Sequence, residues 1–473
     1  MTSTPSTAPG EDGVDLEGHI GHERWFAGKG RFWSITAAQT VASLREPTPE
    51  RSGVRIDIVQ VTYDDGETET YQLPLASYAE PATHLAHAFV GEEEGADGRT
   101  WYVYDALHDK ESTGLWIEGI AADRAGDGFA FHREPTIREL PPGGPSIVVG
   151  AEQSNTSLIF GDTVILKVFR KVSSGLNPDI EMHSALAAAG STHIAAPLGW
   201  LEGTWTDPSG NAVTASLAMS QVFLKGATDG WELAQTSVRD LYAEADLHAD
   251  EVGGDFAGEA SRLGAATAEV HLALAEALPT GLLERKELAG VAESMRSRLD
   301  RTAADVPELM PYAAALRGAF DDLAALDEPV AVQRLHGDFH LGQVMRTLDG
   351  WKLLDFEGEP ARPLAERRGL EPPMKDVAGM LRSFDYAARH LLADHPADGQ
   401  RAYRATEWAD RNREAFLTGY ARAGGADPRQ QPVLLRAYET DKAVYEVLYE
   451  ARNRPTWLQI PMAAIHRLAA GEE

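Results

Sequence analysis

The sequence predicts an α+β chain in two lobes, a β-rich one followed by a mostly helical one, with a cleft between them. Three observations lead there. Residues 54–61 alternate apolar and polar at period two, and Asp64-Asp65-Gly66 supplies a turn before a second run at 68–73. Beyond a Pro/Gly break at Pro141-Pro142-Gly143-Gly144-Pro145, two more strand signals, 158–160 and 164–169, are joined through Gly161-Asp162. A further strand around 217–223 gives way to helical sequence that continues to the end. Between these landmarks, residues 101–107 read as a strand, 91–95 as a surface connection, and 180–189 as a helix opened by Asn177-Pro178-Asp179.

Bulk properties narrow the function. At 473 residues the chain is too long for one ordinary core. Its 43 basic and 73 acidic residues give a net charge of −30, which repels nucleic acid and anionic membranes, so neither is expected as a partner. Cysteine is absent, which removes disulfides and thiolate catalysis and fits a reducing cytoplasm. Residues 1–15 are rich in Ser, Thr, Pro and Gly and read as a disordered leader, without the apolar stretch of a signal peptide. No run of about 18 apolar residues occurs, so no membrane span is expected.

Neither a P-loop nor a Gly-x-Gly-x-x-Gly turn after a strand is present. What is present is an ordered set of groups suited to phosphoryl transfer. That chemistry needs a cation on the phosphates, carboxylates for Mg²⁺ and a base at the acceptor hydroxyl. Lys167 ends an apolar strand where it can neutralise phosphates, and Glu181 on the next helix can pair with it. In His336-Gly337-Asp338-Phe339-His340-Leu341-Gly342-Gln343, Asp338 is the candidate base and Gln343, five residues on, a metal-capable amide. Asp355 closes the apolar run Trp351-Lys352-Leu353-Leu354 as the principal metal carboxylate. His336 and His340 lack a third zinc ligand nearby, so His336 is read as holding the loop backbone. The set predicts an enzyme dependent on ATP and Mg²⁺.

With these residues in view, the chain resembles the maltokinases, a branch of the aminoglycoside-phosphotransferase-like kinases. The similar stretches begin at Arg24-Trp25-Phe26-Ala27-Gly28-Lys29-Gly30-Arg31 and Glu152-Gln153-Ser154-Asn155-Thr156-Ser157. They continue through Leu354-Asp355-Phe356-Glu357-Gly358-Glu359-Pro360, residues 375–383 and residues 441–457. The resemblance implies a bilobal protein-kinase-like fold: a cap at 16–95, an N-lobe at 96–224 and a helical C-lobe at 225–473. It implies phosphorylation of maltose to maltose 1-phosphate, feeding α-glucan synthesis in the cytoplasm, with trehalose synthase as a protein partner. It puts Ser154, Asn155, Thr156 and Ser157 in place of a Gly-rich phosphate loop, and adenine against the backbone at Gln221, Val222 and Phe223. The sugar is expected to meet Glu357 and Glu359, and a face of the last long helix. That face carries Tyr438, Lys442, Tyr445 and Tyr449 at helical spacing, Glu446 beside them, then Arg452, Asn453 and Trp457. Arg24, Lys29 and Arg31 among Trp25, Phe26, Phe32 and Trp33 suggest cation–π packing within the cap, or else a phosphate or partner site. Two rival readings remain: a kinase of the same fold for glucosamine or an aminoglycoside, and a non-catalytic pseudokinase.

Overall fold

The computed structural model describes residues 14–141, 144–150, 155–244, 246–359, 362–392 and 399–471. The chain divides into two compact units. One holds residues 1–184 and 195–225, the other 185–194 and 226–473.

The first unit is built on two antiparallel sheets. One runs in the order Trp33–Arg45, Gly53–Tyr63, Thr68–Tyr78, Thr100–Asp105, Phe89–Glu94, with Lys171–Val172 also paired to Thr68–Tyr78. The other has seven strands, with Val164–Phe169 between Ala212–Val222 and Asn155–Phe160. The helix Lys110–Ala121 packs on this second sheet, and its fully buried Trp116 belongs to a core that residues of both sheets share. Gln72 ties the two sheets by donating to the carbonyls of Phe169 and Leu217. Arg170, 1 % exposed, adds a second tie: it donates to Asp105 at 2.6 Å and to Thr156 Oγ1 at 2.9 Å, and sits 4.9 Å from the Trp25 ring.

Several sequence expectations are corrected here. Residues 91–95 are no connection: Phe89–Glu94 is a strand whose alternating glutamates face solvent, and the turn follows at Gly95–Gly98. The strand expected at 101–107 is Thr100–Asp105, followed by a short 3₁₀ turn. It pairs in the first sheet, on the far side of the 95/96 division. Of the leader, residues 1–13 lie outside the described residues. Asp15, however, caps the helix Leu16–His22 through the Gly18 N–H, and Val14 and Leu16 pack on the first core. Arg31 does make a cation–π contact, but over Tyr63 at 3.6 Å rather than over the nearby Trp and Phe rings.

The second unit is mostly helical. Ala257–Ala277 and Gly399–Arg422 cross closely because of two glycines. A Cβ on Gly264 would lie 2.1 Å from the Phe416 carbonyl oxygen, and one on Gly419 would lie 1.9 Å from that of Ser261. Met374–Arg389 packs against Pro432–Asn453, with fully buried Arg382 between them donating to Glu446 and Asp385. A hairpin, Val344–Thr347 with Gly350–Leu353, and the pair Thr280–Leu283 with Val330–Gln333 complete it. Among the described residues no helix is long and apolar enough to cross a membrane.

The glycine crossing gives a stability test. Gly419→Ala should cost roughly 1–3 kcal/mol through overpacking. Gly290→Ala, with nothing within 4 Å of the new methyl on the Arg285–Asp305 helix, should leave stability unchanged or raise it by up to about 1 kcal/mol. Thermal unfolding of the two variants checks the contrast.

Candidate active site

In the second unit, the strand Val330–Gln333 leads into a loop anchored by buried Leu335, Phe339 and Leu341, which leaves Asp338 half-buried between them. The loop hangs on the helix Met374–Arg389. There the Asp376 carboxylate, 1 % exposed, accepts the N–H groups of His336 and Gly337, both at 2.8 Å, and meets His271 Nε2 at 3.1 Å. Burial alone would raise this carboxyl, but the hydrogen bond from His271, the nearby imidazoles and the loop amide keep it below its ordinary value. Ser383 Oγ accepts the Leu341 N–H at 3.0 Å. Gly379 allows the contact, since a Cβ there would stand 2.6 Å from the Phe339 carbonyl oxygen. Gly337 turns the chain at φ +86°. His336 Nε2 donates to the Leu354 carbonyl at 2.7 Å and so ties the loop to the end of the hairpin, the backbone-holding role expected of it.

Asp338 Oδ1 lies 3.1 Å from Lys442 Nζ, which is also 3.9 Å from Glu359 Oε1. Burial would raise the Asp338 carboxyl, yet Lys442 and the imidazoles of His340 and His336 hold it below the usual carboxylate range. His340, lowered mainly by burial, caps the following turn by accepting the Gly342 N–H at 3.0 Å. On the adjoining strand end, Asp355 adopts φ +62°, a left-handed conformation that costs a residue with a side chain of order 1–3 kcal/mol and turns its carboxylate towards Gln343. The Gln343 amide stands 3.5 Å from Asp355 Oδ2. Carboxylate oxygens of Asp355 and Glu357 come within 4.8 Å of each other. A half-turn of the Gln343 amide exchanges its oxygen and nitrogen, so the group offers three hard oxygen donors, the kind Mg²⁺ takes. Glu357, assigned to the sugar from sequence, therefore sits with the metal candidates.

Beside the loop is a cavity of about 260 Å³. Glu359, Tyr438, Lys442 and Tyr445 line it, as expected from sequence. The remaining sugar candidates do not. Glu446 is 8 % exposed and is held by Arg382 at 2.7 and 2.9 Å, because a fully buried guanidinium must find a carboxylate. Tyr449 is exposed at the outer end of a stacked pair with Tyr445. Arg452 pairs with Asp305 at 2.7 Å, and Trp457 packs under Arg454 at 4.4 Å. Sequence reasoning missed the opposite wall: Ser294, Met295 and Arg298 of the helix Arg285–Asp305, with Arg362, Glu371 and Lys375. Lys375 and Asp376 lay inside a stretch already quoted for the resemblance, but nothing in their spacing assigned them roles.

Charge in this cavity is balanced in pairs. Asp441 meets Arg298 at 3.0 Å, Glu359 meets Arg362 at 2.7 Å, and Glu371 meets Lys375 and, at 3.2 Å, Arg362. Burial lifts the Asp441 carboxyl above its ordinary value even beside Arg298.

In the first unit, Lys167 lies opposite Ser157 and Met219, and its Nζ is 3.7 Å from Asp179 Oδ2. This described ion pair uses Asp179, two residues before the expected Glu181. Asn155, Thr156 and Ser157 already belong to the strand Asn155–Phe160. Thr156 Oγ1 accepts from Arg170, while Ser154 lies outside the described residues. The Val222 and Phe223 N–H groups are bound to Ala196 and Thr163 carbonyls, both at 2.9 Å, so neither is free to donate to adenine. Gln221 keeps a buried side-chain nitrogen without a partner.

The Asp376 support can be tested directly. Asp376→Asn puts an amide against loop N–H groups and should lower kcat by about 10²-fold through misplacement of Asp338. Nucleotide affinity, read by equilibrium titration, should change little.

Comparison with known proteins agrees with this architecture. Residues 19–109 match the maltokinase N-terminal cap domain, and residues 248–430 match the phosphotransferase enzyme family. A glucosamine kinase of Streptacidiphilus jiangxiensis is 30% identical over 371 residues, covering 72% of this chain and 81% of that protein. Another from Mycolicibacterium smegmatis is 28% identical over 341 residues, covering 68% and 78%. A solved glucosamine kinase superposes with a TM-score of 0.68 at 23% identity, over 93% of this chain and 94% of that one, which shows a shared fold. The chain thus belongs to the phosphotransferase enzyme family, among the kinase-fold members that carry the maltokinase N-terminal cap.

Proposed function

We propose that this chain phosphorylates a neutral sugar with ATP, and that the sugar is maltose, giving maltose 1-phosphate for α-glucan synthesis. The observation that carries this reading is the charge-balanced cavity beside Asp338. A polyol asks for many hydrogen bonds and no net charge, and the paired side chains there supply both donors and acceptors. The volume, about 260 Å³, is just below the ~300–1,000 Å³ usual for drug-sized ligands and suits one sugar ring. A second ring then continues along the stacked Tyr445–Tyr449 pair towards solvent.

In this reading Asp338 orients the anomeric hydroxyl and accepts its proton, while Lys442 fixes the carboxylate in place. A carboxylate held below its ordinary pKa is a weak base. That is acceptable where the transition state is loose and alignment with charge stabilisation dominates. Mg²⁺, when bound, would neutralise the phosphate charge from Asp355, Glu357 and Gln343. Lys167 is assigned to the nucleotide phosphates.

The second reading is a glucosamine kinase, favoured by the two relatives of that name. Against it stands the ion pairing of Asp441, Glu359 and Glu371 with Arg298, Arg362 and Lys375, so that an ammonium would meet cations already in place; of these carboxylates only Asp441 has a buried oxygen, Oδ1, that lacks a hydrogen-bond partner.

A coupled ADP-release assay with maltose, glucose, glucosamine and kanamycin separates these readings. Turnover is expected with maltose, with ³¹P NMR placing the phosphate on the anomeric carbon. Turnover with glucosamine alone overturns the proposal, and no turnover with any acceptor favours a pseudokinase. Asp338→Asn should lower kcat by about 10²–10⁴-fold with nucleotide binding kept.

The pH profile follows from the sign of the Asp338 shift. Activity needs the carboxylate, so it falls only as pH drops through a pKa below about 3.9, and the wild type shows no acid limb between pH 5 and 8. Lys442→Met removes the main lowering influence and leaves burial opposed by the two imidazoles, which moves that limb to higher pH. A kcat/KM profile with an unmoved limb contradicts the assignment.

A further inference from the structure

A second cavity in the second unit, about 610 Å³, exceeds the acceptor cavity and no step of the reaction uses it. Its walls come from the helix Ala257–Ala277, the segment 326–333, the start of the helix Met374–Arg389 and residues 420–434. Of its lining residues only Glu328, exposed at the rim, is an acid or a permanent base, in a chain 25% of whose residues are charged. Prolines and aliphatic side chains form most of the rest. Leu272, at its edge, is 47 % exposed.

At its inner end this cavity meets the support of the catalytic loop. Buried Tyr420 places its hydroxyl 2.9 Å from His271 Nδ1, His271 Nε2 is 3.1 Å from Asp376 Oδ2, and that same oxygen accepts the His336 N–H at 2.8 Å. The two cavities also share a wall. Pro372 lines both, and Gln333 of the second cavity exchanges backbone hydrogen bonds of 3.1 and 3.0 Å with Glu371 of the first.

We propose that this cavity is an effector site for a neutral, largely apolar ring compound bearing one hydroxyl, whose occupancy reaches Asp338 through Tyr420, His271 and Asp376. The uncharged walls select against ions, because an ion there would lose hydration without a counter-charge. The Tyr420 oxygen, engaged by one ring nitrogen, keeps a lone pair for a ligand hydroxyl. A ligand that packs there holds the His271 ring in one position and with it the carboxylate that carries the loop. The coupling is reciprocal, so acceptor binding and effector binding change each other's affinity by the same factor. The inference goes beyond the acceptor assignment and does not depend on which sugar is used.

Cyclohexanol is the probe, with cyclohexanecarboxylate as its charged control. Saturation-transfer NMR should detect cyclohexanol on the full chain, lose it in Leu272→Trp, which fills the mouth from an exposed position, and show no carboxylate binding. Hydrogen exchange should slow roughly threefold or more in peptides covering residues 335–342 when cyclohexanol binds, and should not respond in Tyr420→Phe. No binding, equal binding to Leu272→Trp, binding of the carboxylate, or unchanged exchange at 335–342 each overturn the proposal. So does an exchange response that survives in Tyr420→Phe. None of these readouts requires turnover, so they stand whatever the acceptor panel returns.

Discussion

A carboxylate buried as deeply as that of Asp376 must be given donors, and here the donors include the backbone of the loop that carries Asp338. Left alone, such a charge costs several kcal/mol. Two loop N–H groups and His271 satisfy it, so the loop geometry and the solvation of one side chain are the same fact. Everything that places Asp338 depends on this. The buried Leu335, Phe339 and Leu341 fix the loop's depth, Gly379 lets the helix come close, and Asp376 fixes the path of the chain between those anchors.

A second ionic network stands behind the acceptor wall. Arg382, without exposure, binds Glu446 and Asp385, and Asp385 also meets Arg467 at 3.0 Å. Arg413 and Arg467 share Glu439 at 2.8 and 2.7 Å. This locks the helices Met374–Arg389 and Pro432–Asn453 together. One of them carries Asp376, which holds the Asp338 loop, and the other Lys442, so Asp338 and Lys442 inherit a fixed separation. Buried pairs of this kind add little net stability, yet removing one partner is costly, which suits a network whose role is registry.

The residues of the candidate hairpin could be picked out in sequence because the chemistry expected of them is local. A base, an amide five residues on and a carboxylate at a strand end all lie within 336–355, and the order β-rich then helical could be read from periodicity. What was not legible depends on long-range choice. Glu446 and Lys442 sit four residues apart on one helix, and only the presence of Arg382, 64 positions earlier, decides that one is a strut and the other faces the cavity. Arg298 and Asp376 carry no spacing signal at all. Glu357 was set with the sugar ligands, and its place beside Asp355 could not be foreseen, because the turn at Asp355, with its φ of +62°, carries no sequence signal. The edge strand at Phe89–Glu94 was hidden by its charges, since an edge needs solubility more than it needs an apolar face.

The same long-range pairing bears on the acceptor. Family likeness reaches the phosphoryl-transfer machinery easily, because the roles proposed for Asp338, Gln343 and Asp355 would serve any hydroxyl acceptor. It reaches the acceptor poorly, because specificity is a difference between affinities and is set by what the cavity leaves unpaired. A site for an aminosugar must hold a carboxylate in reserve for the ammonium. Here Asp441, Glu359 and Glu371 are each committed to an arginine or lysine before any ligand arrives. Exchanging one such cation for a neutral side chain would release a carboxylate and create the missing counter-charge. On the proposed reading, the step between a polyol site and an aminosugar site in this cavity would be as short as one basic residue.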